Sequence, residues 1–146
     1  MDRTETVAYI AGPYRDSSHY HVERNIRAAE AVAVRVAGAG ATFLCPHTMT
    51  RAMEGVRDDA YWLDATLELM RRCDCVVLAD DWWGSEGANN EINEARRLGI
   101  PVFESDEDGF VEFLIWLIER SNNDVPSTTA ACDGKGCCGD GSKGCP

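Results

Sequence analysis

The chain has 146 residues, 45% of them hydrophobic and 27% charged, the proportions of one globular domain with a core of its own. Twenty-five acidic against 14 basic residues leave a net charge of −11, which argues against the broad basic face that nucleic-acid polymers or anionic membranes require. The most apolar run, residues 110–118, is too short to cross a bilayer, and the polar start MDRTET lacks the basic-then-apolar order of a signal segment, so a cytoplasmic protein is expected.

Short β-type apolar runs alternate with helical patterns along the chain. Residues 7–11 read as a strand. A helix over 17–38 follows, with Ile26, Ala29, Ala33 and Val36 at three- and four-residue steps, and Gly38 and Gly40 end it. A strand over 42–45 precedes a helix over 58–72, a strand over 75–79 precedes a helix over 86–98, and a strand over 101–103 precedes a helix over 109–120. Parallel strands need crossover connections, so four such units predict an α/β domain over residues 3–121. Its expected form is a flavodoxin-like or Rossmann-like parallel sheet of about four to five strands with helices on both faces.

Residues 110–118 leave only Glu112 polar, so the last helix must bury more than the face turned to the sheet. A second subunit is the expected cover, giving a homodimer or larger, with Trp116 and Phe113 as the first outward candidates; the tail or a loop is the alternative. From residue 122 onward Gly, Ser, Thr and Asp dominate, and the segment 122–146 is expected to be a disordered tail. Its four thiols, Cys132, Cys137, Cys138 and Cys145, follow no recognised zinc spacing and have no His nearby, although soft ligands can bind metal or act in redox chemistry. Cys45, Cys73 and Cys75 sit in apolar stretches as small core residues. No metal or cofactor is expected.

In open parallel sheets ligands bind beyond the carboxyl ends of the strands, so the chemistry should lie in the loops that follow them. The first such loop is Gly12-Pro13-Tyr14-Arg15, where a guanidinium can grip an anion or pair with Asp16 or Glu23. The second is Pro46-His47, whose imidazole can hydrogen-bond a substrate, donate a proton near neutral pH, or do neither. The third runs from Asp80 and Asp81 through Trp82, Trp83 and Ser85 to Glu91. Ser85 is an N-cap, and helix N-terminal amides can seat a phosphate or carboxylate. Trp82 or Trp83 could stack on a planar base or serve as core and contact residues. Glu91 is by default a solvated helical carboxylate.

Taken together, the stretches YIAGPYR (Tyr9 to Arg15), Asn25-Ile26, Pro46-His47, WLDATLELMRRCD (Trp62 to Asp74) and DWWGSEGANNEINEARRLGIPVF (Asp81 to Phe103) resemble the nucleoside 2-deoxyribosyltransferase-like superfamily. The pattern looks most like its branch of short phage and bacterial proteins with a domain of unknown function. The resemblance implies N-glycosidic chemistry on a small-molecule nucleoside or nucleotide, by base exchange or by hydrolysis of a 5′-monophosphate, in a dimer or larger assembly. It places the glutamate nucleophile at Glu91, its supporting tyrosine at Tyr9, and phosphate contacts at Arg15 and Ser85. Gly12, His47, Asp81 and Trp83 join the expected substrate site. Thr66 stands where many members carry an aspartate for a sugar hydroxyl, and Asp64 lies two residues earlier. A nucleotide-binding module without turnover is the alternative on the same fold.

Overall fold

The computed structural model describes residues 5–53 and 55–123. The elements in chain order are β1 (Val7–Ala11), α1 (His19–Gly38), β2 (Thr42–Leu44), α2 (Pro46–Met49), α3 (Asp59–Met70), β3 (Cys75–Leu78), a 3₁₀ turn (Trp82–Gly84), α4 (Glu86–Arg97), β4 (Val102–Phe103) and α5 (Glu107–Asn123). Four parallel strands in the order β2-β1-β3-β4 make one sheet. The expected α/β class and parallel sheet are those observed, and α5 runs two residues past the expected domain end. The tail from residue 124 lies outside the described residues.

The sheet separates two apolar layers because successive strand side chains point to opposite faces. Ala8, Ile10, Cys75 and Val77 face α1 and α5, meeting Ala29, Ala33, Val36, Phe113 and Leu117. Tyr9, Ala11, Val76 and Leu78 face α3 and α4, meeting Met70, Ile92 and Ala95. All four residues of β3 are buried, as a central parallel strand requires. Within α1 the stripe Val22, Ile26, Ala29, Ala33 and Val36 lies in the interior, so the three-and-four periodicity of the sequence is the buried face itself.

The chain leaves β1 toward β2 on one side and returns through α3 to β3 on the other, so the connections diverge between the carboxyl ends of β1 and β3. At that switch point the two loops touch. A Cβ on Gly12 would stand 2.8 Å from the Ala79 Cβ, so glycine is what lets the loop after β1 pass the end of β3. Gly12 therefore has a packing reason independent of any ligand.

The last helix departs from expectation in detail. Phe113 is fully buried and Trp116 packs against the core beside Phe103, their rings 5.5 Å apart, so neither is an outward residue. A helix exposes residues spaced by about 100° of rotation, and here the outward apolar ridge is Val111, Ile115 and Ile118. The Pro46-His47 loop is likewise more than a loop: Pro46 starts the short α2, where its missing N–H costs nothing.

Candidate active site

Beyond the switch point a cleft of about 740 Å³ opens, large enough for a mononucleotide. Its lining includes eight of the expected site residues: Tyr9, Gly12, Arg15, His47, Thr66, Asp81, Ser85 and Glu91. They come from β1 and its loop, α2, α3, the β3–α4 connection and α4, far apart in sequence and joined only by the parallel sheet.

At the floor, the Tyr9 hydroxyl donates to Glu91 Oε1 at 2.5 Å across 82 positions of sequence. Tyr9 is central in β1 and wholly buried, and the hydroxyl of a buried tyrosine must find an acceptor. Glu91 occupies the second turn of α4 on the same face as Ala88, Ile92 and Ala95, which is how a carboxylate enters an apolar helix face. It is buried, not a solvated surface group. Burial pushes its carboxyl up to about 7, while the Tyr9 and Thr66 hydroxyls act in the opposite direction. Burial, followed by the charge of Glu91, pushes the Tyr9 phenol far above its ordinary value, so Tyr9 stays a donor. The pair is one acid near neutrality, held in a fixed orientation by a group that cannot titrate with it.

Thr66 on α3 donates its hydroxyl to Leu63 O at 3.1 Å and stands close to both members of the pair. Asp64 does not share that position. Two residues on a helix are about 200° apart, so Asp64 lies on the exposed side of α3 and off the cleft.

His47 is buried, with Nε2 bonded to Pro13 O at 3.0 Å and its ring edge-on to Tyr14 at 5.7 Å. The carbonyl fixes the proton on Nε2. Burial holds the imidazole below its ordinary pKa, so the group is neutral and its N–H is occupied. It braces the first loop while lining the cleft. Asn25 from α1 assists by donating to Tyr14 O at 3.3 Å.

Arg15 reaches over the cleft and pairs with Asp59 on α3, not with Asp16 or Glu23. Asp58 caps α3 through the Tyr61 N–H, and Ser85 caps α4 by accepting from Ala88 N at 3.2 Å. The Ser85 hydroxyl proton remains available to the cleft. Asp81 sits at a left-handed backbone position, φ 61°, where the chain turns from β3 into the 3₁₀ turn.

The tryptophan pair leads elsewhere. Trp82 packs against the α3–α4 side of the core and Trp83 is two-thirds exposed, and neither lines the cleft. Asp80 also points away and accepts from Ser105 Oγ at 3.2 Å. Besides Tyr9, the aromatic side chains that line the cleft are Tyr14 and Trp62. Trp62 was legible: it lies four residues before Thr66, one turn away on the same face of α3. Arg57 and Met53, from the segment before α3, carried no such signal. Among the described residues no three His, Cys, Asp or Glu side chains group as metal ligands.

Two solved structures share this fold. The 2-deoxyribosyltransferase of Bacillus psychrosaccharolyticus matches with a TM-score of 0.51 and 18% identity, over 68% of this chain and 71% of that one. A conserved protein from Enterococcus faecalis V583 matches with a TM-score of 0.53 and 17% identity, over 84% of this chain and 77% of that one. At such identities the likeness is one of fold. No curated protein matches the sequence significantly. A family model described as a domain of unknown function, DUF7768, matches residues 6–105, all four strands and the cleft included, and the chain belongs to that family.

Proposed function

We propose that this protein cleaves, or transfers at, the N-glycosidic bond of a nucleoside, deoxynucleoside or nucleoside 5′-monophosphate, with Glu91 as nucleophile. The observation that carries the reading is the buried Tyr9–Glu91 hydrogen bond at the floor of a nucleotide-sized cleft. Cleaving C1′–N develops positive charge on the sugar carbon, which an ionised carboxylate can stabilise or bond. Tyr9 holds one carboxylate oxygen and leaves the other to face the sugar. Arg15 and Ser85 are at hand for the 5′ end of the substrate, and Trp62 and Tyr14 offer faces for the base. The fold likeness to a 2-deoxyribosyltransferase supports the same chemistry.

A panel of nucleosides and 5′-monophosphates, with released base followed by chromatography, tests it. Release of base by the wild type and a loss of at least about 100-fold in Glu91→Gln are expected, because the amide is nearly isosteric but cannot attack. Equal rates in the two proteins sink the mechanism. Thr66, in place of a sugar-binding acid, favours a second reading: a module that binds nucleotides without turnover. Tight binding with no base released from any substrate would select it.

A further inference from the structure

Resting on the assignment of Glu91 as nucleophile, we propose that the bond broken is one to a nitrogen that already carries positive charge. The substrate is then an N-glycoside of a cationic base, such as a pyridinium nucleoside or its 5′-monophosphate.

Two independent features of the cleft lead there. The first is how its charges are divided. The wall built by the β3–α4 connection and α4 carries Asp81, Glu86 and Glu91, and none of them has a cationic partner among the described residues. The guanidinia facing the cleft come from other elements. Arg15 is held by Asp59, Arg57 lies 4.5 Å over the Tyr61 ring, and Arg24 comes from α1. A planar cation is thus favoured against the wall that holds the nucleophile, with Trp62 and Tyr14 as aromatic faces in the same cleft. These other elements carry three guanidinia against two carboxylates, Asp16 and Asp59, so an anionic group is favoured there and not against the wall of Asp81, Glu86 and Glu91.

The second feature is the lack of a second buried acid. A glycosidase acting on a neutral leaving group uses two carboxyl groups, one to attack and one to protonate. Among the described residues Glu91 is the one buried carboxyl group, and Asp81 and Glu86, which also line the cleft, are exposed. Asp59 is paired with Arg15, Asp80 is bonded to Ser105, and the His47 N–H is committed to Pro13 O. With a cationic base no acid is needed. A Glu91 oxygen bonds to C1′, the C1′–N bond breaks, and its electron pair neutralises the ring nitrogen, so the base leaves uncharged. Water then cleaves the glycosyl ester, its hydroxyl going to the sugar and its proton to solvent, and Glu91 is restored as a carboxylate. The incoming cation also favours the ionised form of Glu91, whose carboxyl otherwise sits at about 7.

The test compares nicotinamide riboside with its uncharged dihydro form, each as riboside and 2-deoxyriboside, with and without a 5′-phosphate. KM and base release are measured at low and high salt, with rates divided by those of the same compounds without protein. We expect KM at least about tenfold lower for the cationic member of each cleaved pair, a gap that narrows in high salt. Glu86→Gln should narrow it about threefold, as loss of one nearby charge does at an exposed site. If both members are cleaved with equal KM, or the neutral one is preferred, this proposal falls while the Glu91 assignment stands. If neither these compounds nor ordinary nucleosides release base, both fall.

Discussion

Glu91 concentrates the residue-scale physics of this molecule. Its carboxyl sits at about 7 because burial disfavours the charge, so the folded protein retains a proton that the unfolded chain releases near 4.5. That stabilisation is whole below pH 4.5 and is lost as pH rises through 7, on the order of 3 kcal/mol in all. The melting temperature of the wild type should therefore fall, relative to Glu91→Gln, between about pH 5 and 8, a difference that calorimetry of both proteins will read. Parallel curves would show that another group titrates. If Glu91 is the proposed nucleophile, the same proton governs its reaction: kcat/KM should rise with pH along an acid limb centred near 7, since only the ionised form attacks. Arg15 offers a second residue-scale test, because its guanidinium must leave Asp59 to meet a phosphate. Arg15→Ala should raise KM for 5′-monophosphates about tenfold or more and leave that for nucleosides nearly unchanged, while Asp59→Asn should lower the former. Equal effects on both substrate classes would remove the phosphate contact.

Among the elements, α5 shows how a sequence pattern and a helix surface differ. Eight apolar residues in a run of nine require burial on more than one side, but only the helix phase decides which side chain goes where. Phe110, Phe113 and Leu117 enter the core, and Trp116 lies along its edge with Arg120 5.5 Å over its ring. Val111, Ile115 and Ile118 stay about half exposed, at 49%, 52% and 54%. We propose that a second copy of the chain covers this ridge, as the expected homodimer requires. Ile115→Glu with Ile118→Glu should then give a smaller species by light scattering at micromolar concentration and leave the fold intact. Phe113→Glu should unfold the domain, because it buries a charge with no partner. A wild-type monomer at that concentration would refute the interface.

At the scale of the whole molecule, two apolar layers form among the described residues, and no helix among them is long and apolar enough to cross a membrane. A chain ending at Asn123 should keep its melting temperature within a few degrees and its activity within about twofold, because the segment it lacks offers little apolar area to bury. A large loss of stability would show that residues 124–146 pack. Every expected site residue on the cleft depends on the sheet. Tyr9 reaches Glu91 only because β1 lies beside β3, and α4 returns across the face to which Tyr9 points.

Local chemistry settled much of this in advance. Periodicity in α1 and unbroken apolar character in β3 are properties of neighbours in sequence, and they determine class, element order and the loops that surround the cleft. Glu91 and Tyr9 came forward through the resemblance of whole motifs, not through any local signal, since a glutamate on a polar helix reads by itself as solvated. The rest is set by direction in space. Asp64 against Thr66 and Phe113 against Ile115 are choices between side chains two residues apart, made by the rotation of a helix, and Trp83 against Trp62 is a choice made by the turn of a loop. His47 was visible as a loop histidine, yet its neutrality follows from burial against Pro13 and Tyr14, which chain folding supplies and composition does not. The charge on Glu91 was decided in the same way: a carboxylate's pKa depends on the water it has lost, and only tertiary structure determines how much that is.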